Sequence, residues 1–481
     1  MRRLARLLVV GALVALVVPS VAQAGHTTDP RTKNMIPLGH IIEPAVLGGF
    51  GGGNPDIHTD LAFRGDLAFQ GNWDGFNIRD ISDPNNPTTV SRTFCDGNQG
   101  DIAVYRNILV RSWNTPAGAP GPFGAGLTCD GQAVPAGFEG LHVFDISDLE
   151  NPELVGAFEL SARPEADMPG CGSHTVTLAP DLEDNRVLLY NATSGGNAAL
   201  PPGLQECDWV DILQVPLSNP SGISHVNRVP LEGGHAAHDN GVILGDVNKL
   251  AVASGHMSNV FSIGGPNGGT MEAPEWLFTI EEEGVCNTGG PLCNGNWHSA
   301  AFTWDGDTII LGWGPGGGLQ AECEASDPAV KKSFFFYDAD TGEKTGQWTL
   351  PRAQGANENC TLHNYNLIPL KSGRDIMVSG NYQAGEWVID ITNPHNPKTV
   401  AWSDPPPAAP VPLPTPPPFC STVPEGCPLT GAWSGYWYNG FIYESHIGEG
   451  LNIFKLRSMR GGKRISLPHL NPQTQEFSLK H

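Results

Sequence analysis

One strand–turn–strand unit recurs along the chain and constrains its fold more than any other feature. Residues 140–160 read GLHVFDISDLENPELVGAFEL, in which alternating apolar residues flank an Asp-rich turn that closes with Asn-Pro. Similar copies lie at 75–90, GFNIRDISDPNNPTTV, and at 386–400, EWVIDITNPHNPKTV. Alternation interrupted by turn-forming residues is typical of a β-hairpin. The sequence therefore predicts an all-β protein built from repeated hairpins.

The structure of the turn explains why Asp, Ser, Asn and Pro recur in this unit. Asp145, Ser147 and Asp148 can each accept a hydrogen bond from the backbone a few residues on, as in Asx and ST turns. Pro152 presets φ at a position where no ladder N–H is needed. We therefore assign these Asp residues to turn formation rather than to catalysis.

The spacing of the predicted strands indicates a β-propeller. The 60 Gly, 42 Pro and 16% charged residues favour many short strands joined by turns. Four strands within about forty residues make one propeller blade. Such groups begin near residues 58, 99, 174, 238, 298, 363 and 433. The sequence thus predicts one domain over residues 25–456, a seven-bladed β-propeller.

The last group is one strand short. Residues 433–456 hold three strands, and the apolar run at 35–42 can supply the fourth, so an N-terminal strand would complete the last blade and leave no exposed sheet edge. Residues 402–429 are rich in proline and are expected to form an extended insertion on the surface. Residues 457–481 form a basic C-terminal tail.

The N-terminus carries an export signal. Residues 1–24 contain three arginines, an apolar run over 7–18 and Ala-Gln-Ala before Gly25, which is the pattern of a signal peptide. No later stretch is long and apolar enough to predict a transmembrane segment. The sequence therefore predicts a secreted, extracellular protein.

The charge of the chain excludes one class of partner. Loss of the three signal arginines would change the formal net charge from −23 to −26. Nucleic acid is a poor partner for so acidic a surface. We expect a monomer that binds an extracellular ligand or protein of unknown identity.

The cysteines predict disulfides. All ten follow residue 24, and an even number in an exported chain favours pairing. A thiolate metal site is less favoured because no CxxC spacing occurs. Pairing neighbours in sequence is our preferred choice, although spacing does not determine connectivity. The expected pairs are Cys95–Cys129, Cys171–Cys207, Cys286–Cys293, Cys323–Cys360 and Cys420–Cys427.

The hairpins at 75–90, 140–160 and 386–400 resemble those of the LVIVD-repeat proteins, a family of extracellular β-propellers. The segments NWHSAAFTWDG, WGPGGGLQAEC, ENCTLHNYNLIP and SGRDIMVSGNYQAGEWVIDI are similar to secreted actinobacterial members. The resemblance covers roughly residues 56–456. It implies the propeller fold, but the family name describes a repeat and brings no settled activity.

The first strands of the seven groups share a column that is rich in histidine. In a propeller the first strand of each blade lines the central channel, so equivalent positions form a ring. Neutral imidazoles that converge there could bind Cu, Fe or Zn. The column consists of His58, Gln99, His174, His238, His298, His363 and Trp433. Its candidate metal ligands are His58, His174, His238, His298 and His363.

Three interpretations of this ring remain open. A structural ring, in which each imidazole donates to a carbonyl of the neighbouring blade, is favoured over a metal site, and a metal-free ligand pocket ranks third. Other titratable residues could contribute. They are the histidines His235, His256 and His446 and the carboxylates Glu322, Glu358, Asp60, Asp101 and Asp239.

The leading functional hypothesis is a secreted β-propeller that acts as an extracellular binding or interaction scaffold, with its ligand at the His-lined channel mouth. The alternative is a His-ligated metal-dependent oxidoreductase with the metal on the propeller axis, by analogy of fold alone. No GxSxG, HExxH or P-loop pattern occurs. The sequence therefore assigns no catalytic or cofactor-binding residue.

We expect the mature protein to contain no free thiol, because the ten cysteines fall into neighbouring pairs in an exported chain. Thiol titration under denaturing, non-reducing conditions measures this directly. A pair or more of reactive thiols per chain would contradict the pairing and favour a thiolate site.

Overall fold

The structure is a computed structural model that describes residues 26–43, 57–114, 117, 126–233, 235–282, 295–315, 318, 321–406, 430–457 and 463–479. The predicted signal peptide, residues 407–429 of the Pro-rich insertion, and both Cys286–Cys293 and Cys420–Cys427 lie outside these ranges. In the part described, no helix has the length and apolar character needed to cross a membrane.

Short antiparallel strands make up the fold. Blades I and II contain β2 (His58–Arg64), β3 (Leu67–Asn72), β4 (Gly75–Asp80), β5 (Thr88–Phe94), β6 (Gln99–Tyr105), β7 (Ile108–Trp113), the small pair β8 (Thr128–Cys129) and β9 (Gln132–Ala133), β10 (Gly140–Asp145) and β11 (Glu153–Glu159). Blades III and IV contain β12 (Thr175–Asp181), β13 (Arg186–Ala192), β14 (Trp209–Pro216), β15 (Ser224–Pro230), β16 (Ala237–Ile243), β17 (Lys249–Ser254), β18 (Met257–Ser262) and β19 (Glu275–Glu281).

The remaining blades follow the same order. Blades V and VI contain β20 (Gly295–Phe302), β21 (Thr308–Pro315), β22 (Ser333–Asp338), β23 (Lys344–Thr349), β24 (Tyr365–Leu367), β25 (Ile376–Gly380), β26 (Glu386–Asp390) and β27 (Lys398–Ser403). Blade VII contains β28 (Ala432–Tyr438), β29 (Phe441–His446), β30 (Gly450–Leu456) and β1 (Met35–Ile42), and β31 (His469–Leu470) and β32 (Thr474–Gln475) follow. Short 3-10 turns lie at Pro220–Gly222, Gly265–Asn267 and Ala329–Lys332.

These strands form seven blades, which confirms the predicted seven-bladed propeller. The predicted closure is also confirmed, because β1 pairs antiparallel with β30, from Met35 opposite Leu456 to Ile42 opposite Gly450. Met35 is buried against side chains of blades VI and VII. The N-terminal strand therefore supplies the outer strand of the last blade.

The repeated hairpin has the local chemistry that its sequence predicts. Between β10 and β11 the backbone N–H of Ser147 donates to Asp145 Oδ1 at 2.7 Å, and that of Glu150 donates to Asp148 Oδ1 at 3.0 Å. The pKa of Asp148 is lowered, first by the hydrogen bond from the Asn151 side chain. These Asp residues are turn formers, as expected.

The C-terminal tail crosses the channel at the ends of the inner strands. Strand β31 pairs with the end of β2, and β32 runs parallel to the end of β16. Side chains of the tail bond three further inner strands: Asn471 to both backbone groups of Val104, Thr474 to the carbonyl of Leu178, and Gln475 to the carbonyl of Phe302. These contacts fix the tail to five blades. Ile465 N–H also donates to Pro369 O of blade VI, and Tyr438 of blade VII donates to Leu467 O, so the tail forms a floor under the channel.

Three of the five expected disulfides lie in the described ranges and are present. They are Cys95–Cys129, Cys171–Cys207 and Cys323–Cys360. The described cysteines include no free thiol. The other two pairs stay predictions.

We expect Gly39→Ala in β1 to destabilise the protein. A Cβ at Gly39 would lie 2.5 Å from Asn85 O and 2.5 Å from Pro87 Cδ in the turn of blade I, so the closing strand would have to shift. Overpacking of this kind lowers the free energy of unfolding by about 1–3 kcal/mol. Chemical denaturation measures the difference from wild type.

The matched control is Gly195→Ala, because a Cβ there meets nothing within 4 Å. It should not lower the free energy of unfolding. Deletion of residues 27–43 should be more severe, since it exposes sheet edges and should cause aggregation. A soluble deletion variant with an unchanged denaturation midpoint would contradict our account of ring closure.

Candidate functional site

A belt of hydroxyl groups joins neighbouring blades at the level of the histidine column. Thr59 Oγ1 donates to Gly100 O at 2.8 Å, Thr175 Oγ1 to His238 O at 2.9 Å, and Ser299 Oγ to His363 O at 2.8 Å. Each hydroxyl follows a column histidine directly in sequence. This belt was not predicted from the sequence, although the recurring His-Thr and His-Ser pairs could have indicated it.

β-Bulges occur at the column in several inner strands. Register shifts lie between His58 and Leu61 in β2, between Ala237 and Asp239 in β16, and between Trp297 and Ser299 in β20. A bulge bends the strand and re-aims the side chains beside it. The bulges therefore affect the orientation of the column histidines and of the residues that follow them in the strand.

Four of the five candidate histidines lie together at the channel. Ring centroids are 4.4 Å apart for His174 and His238, 3.9 Å for His238 and His298, and 4.4 Å for His298 and His363. The row ends against the Trp433 ring, whose centroid is 5.0 Å from that of His363. Blades III to VI thus contribute one continuous row of imidazoles.

The other column members have different positions. Gln99 Nε2 lies 3.1 Å from His174 Nε2 and so continues the row into blade II. His58 Nε2 lies 2.8 Å from the backbone carbonyl oxygen of Glu43. The imidazole of blade I is therefore engaged with the segment that follows β1.

Burial keeps the row neutral. It lowers the pKa of His238 to about 4 and that of His363 to about 3. The pKa values of His174 and His298 are also well below the usual value, first because of burial and then because of neighbouring imidazoles. These rings act as hydrogen-bonding groups rather than as cations at physiological pH.

Backbone carbonyls of the next blade fix the orientation of two rings. His238 Nδ1 lies 2.8 Å from His298 O, and His363 Nδ1 bonds Trp433 O. Because a carbonyl only accepts, each Nδ1 carries the proton and each Nε2 keeps an acceptor lone pair. The row therefore has both the contacts of a structural ring and nitrogen lone pairs that a ligand could use.

The space inside the row is very small. A cavity of about 10 Å³ lies at this level, which is room for about one water molecule. It is lined by Gln99, Asp101, His174, Thr175, His238, Asp239, His298, His363, Asn364 and Trp433. A larger ligand can place only a small polar group between the rings.

The row does not gather its nitrogens around one point. Among the described residues, three or more possible ligand atoms lie within 4.8 Å of one another at two other places, namely Cys95, Cys129 and His142, and Asp181, Asp184 and Glu272. The first contains a disulfide. The second surrounds the Arg186 guanidinium, so neither is arranged for a metal ion. Binding of Cu, Fe or Zn by the histidines would require the rings to move, and it stays a prediction.

A layer of carboxyl groups lies next to the imidazole row along the channel, one or two residues after the column in the inner strands. Asp101 accepts the N–H of Val176 at 2.6 Å, and Asp60 accepts the hydroxyl of Tyr436 at 2.6 Å and the amide of Gln473 at 3.0 Å. Burial, and then nearby Asp60, raise the pKa of Asp101 well above its usual value. The carboxyl layer thus connects the imidazole row to the floor.

Blade I is similar to a known repeat family. Residues 58–93, which run from β2 into β5, match the family model of the LVIVD repeat. The chain carries an LVIVD repeat. The predicted resemblance to LVIVD-repeat proteins is therefore confirmed over this range, whereas the closer likeness to actinobacterial members stays a prediction.

Likenesses between the whole chain and known proteins are weak. No curated protein matches the sequence. The structure is similar to Raptor of Chaetomium thermophilum at 10% identity and a TM-score of 0.45, over 85% of this chain and 29% of that one. It is similar to a chain of the mitotic checkpoint complex at 9% identity and a TM-score of 0.47, over 95% of this chain and 99% of that one. Likenesses this weak carry no functional argument.

Asp101 and Asp239 line the cavity within the row, whereas the candidates Glu322, Glu358, His235, His256 and His446 are not among its lining residues. Glu322 pairs with Lys331 at 2.6 Å, and Glu358 accepts the N–H of Gly355 at 2.6 Å. The rings of His235 and His256 contact each other, with centroids 4.8 Å apart. Burial lowers the pKa of His446 to about 3. Local partners therefore account for most of these side chains.

We expect Asp101→Asn to stabilise the protein above neutral pH. The folded pKa of Asp101 is raised, so its contribution to stability is present below the unfolded pKa of about 3.9 and is lost as pH rises towards the folded value. Asparagine can still accept from Val176 N–H but does not ionise. Melting temperatures measured from about pH 5 to about pH 8 should show a variant advantage that grows with pH.

Asp83→Asn is the control, because that exposed carboxylate has a lowered pKa and is ionised in both states over this range. Its difference from wild type should not change with pH. A constant difference for Asp101→Asn as well would contradict the protonated state of the buried carboxyl.

Proposed function

We propose that the protein is a secreted, extracellular binding scaffold that holds its ligand at the His-lined mouth of the channel. The observation that carries the proposal is the row of four neutral imidazoles, His174, His238, His298 and His363, within one channel. A repetitive propeller with LVIVD repeats is a rigid framework for such a site.

The size of the cavity limits how a ligand can bind. With room for about one water molecule, the row can accept a hydroxyl or amine of a larger molecule but not the whole molecule. The Nε2 atoms of His238 and His363 are acceptors, so the inserted group must donate a hydrogen bond. The rest of the ligand would lie on the face outside the row.

The chemistry of the cysteines supports the proposed compartment. Disulfides such as Cys95–Cys129 and Cys323–Cys360 persist in oxidising surroundings. The signal-like residues 1–24 and the acidic composition agree with a secreted protein that does not bind nucleic acid. We further propose that it works as a monomer.

A metal-dependent oxidoreductase is the second candidate, and one observation favours it. Metal-ligating histidines usually donate their other ring N–H to a carbonyl or carboxylate, as His238 and His363 do. The ring nitrogens are not gathered as a metal would need, so we rank this function below the scaffold. An equivalent of Cu or Fe that survives dialysis of untagged protein would reverse the ranking.

The test of the scaffold is selective retention of a ligand. Immobilised mature protein is incubated with spent culture medium of the source organism, and retained molecules are identified by mass spectrometry. His363→Asn with His238→Asn should weaken retention about tenfold, because the two Nε2 acceptors of the inserted group are lost. Asn at 238 can still donate to His298 O, which preserves the blade contact.

His395→Ala is the control, since this exposed histidine lies in a hairpin turn of blade VI. It should retain the ligand as wild type does. A ligand bound equally by wild type and by the double variant would place the site elsewhere, and the absence of any saturable ligand would reject the scaffold proposal.

A further inference from the structure

A second, larger cavity lies on the floor side of the propeller. Its volume is about 430 Å³, within the usual range for small-molecule sites. Three turns between first and second strands form its sides: Leu244–Val247 of blade IV, Trp304 and Asp305 of blade V, and Leu370–Asp375 of blade VI. The tail residues Gln475–Leu479 close the remaining side. We call this cavity the floor pocket.

Two aromatic side chains form rigid walls of the floor pocket. Trp304 Nε1 donates to Leu367 O at 2.9 Å, which fixes the indole between blades V and VI. Phe477 packs against the His469 ring with centroids 5.2 Å apart, and His469 Nε2 lies 2.5 Å from Glu476 Oε1. Internal contacts of the tail therefore hold the second wall in place.

Three carboxylates and two cations line the floor pocket, namely Asp246, Asp305, Asp375, Lys371 and Arg374. Asp375 and Asp305 both line it, and Asp390 and Asp307 lie near enough to act on Asp375. Burial and then these negative neighbours raise the pKa of Asp375 to about 7. The Arg374 guanidinium is already paired with Asp390, and Lys371 is exposed and is not among the charges that act on Asp375. Carboxylates are therefore in excess beside Asp375, at one end of a cavity whose lining is partly apolar.

We propose that the floor pocket binds a small organic cation with an apolar body. Its ammonium group contacts the carboxylates of Asp375 and Asp305, and its apolar part packs between Trp304 and Phe477. An ammonium desolvated beside an aromatic face and a carboxylate gains from both contacts. This site lies at the opposite end of the inner strands from the imidazole row, and it is independent of the function proposed for that row.

The test uses n-hexylammonium as the probe, with hexanoate and 1-hexanol as analogues of the same length. Ligand-observed NMR titrations of the mature protein measure each affinity. At about pH 8.5 we expect hexylammonium to bind about tenfold more tightly than either analogue, because only it pairs with the carboxylates. Hexanoate binding as tightly as hexylammonium would overturn the proposal.

The pH dependence has a defined sign. A cation binds the ionised form of Asp375, whose pKa is about 7. Hexylammonium keeps its proton throughout, so binding should weaken severalfold as pH falls from about 8.5 to about 5. Binding that is unchanged over this range would exclude Asp375 as the contact.

Substitutions distinguish the contribution of the carboxylates to binding from that of the aromatic wall. Asp375→Asn and the more exposed Asp305→Asn should each reduce hexylammonium binding about tenfold, with circular dichroism confirming the fold. Phe477→Ala should weaken the binding of hexylammonium and of 1-hexanol alike. Two controls, Asp148→Asn in a blade II turn and His238→Asn in the imidazole row, should not change the binding of either probe. Wild-type binding by both Asp375→Asn and Asp305→Asn, or an equal loss in Asp148→Asn, would overturn the proposal.

Discussion

The pairing of β1 with β30 holds the ring of blades closed, and the arrangement on the axis depends on it. Without this ladder, blade VII would lack its outer strand and the seam with blade I would weaken. Contacts cross that seam on the axis itself, where Tyr436 of blade VII donates to Asp60 of blade I. The carboxyl layer therefore exists in its observed form because the first strand returns to the last blade.

A buried ion pair reinforces the same seam. Glu43, which follows β1, pairs with Arg79 of β4 and lies 2.7 Å from Arg92 of β5. Arg79 is fully buried, so loss of its carboxylate partner would leave an uncompensated charge in the interior. Backbone pairing with blade VII and ion pairing with blade I thus anchor one short segment on both sides of the closure.

Local chemistry made much of this fold predictable. The hairpins follow from turn residues such as Asp145 and Ser147, whose hydrogen bonds span only two positions. The closing strand followed from the lack of a fourth strand in the last blade. The floor was not predictable, because its contacts, such as Asn471 with Val104, join single side chains to distant backbone and leave no periodic pattern.

The candidate site, like the fold, was predictable from the sequence only in part. Alignment of the inner strands placed His174, His238, His298 and His363 at one level, where the structure has them. It did not reveal that two Nδ1 atoms would bond carbonyls of the next blade or that bulges would adjust the strands, since both depend on how blades pack. The floor pocket was missed for a similar reason: Trp304, Asp375 and Phe477 are far apart in sequence and are brought together by the tail.

The closure also has a consequence for how the protein is made. The ribosome produces β1 before any blade, while its partner β30 is among the last strands to appear, so the nascent chain must keep an apolar, unpaired strand from associating elsewhere. Contacts between such distant segments form slowly, and intermediates with open edges aggregate. Translocation of an unfolded chain, followed by folding after release, would let both ends meet in the same compartment and at the same time.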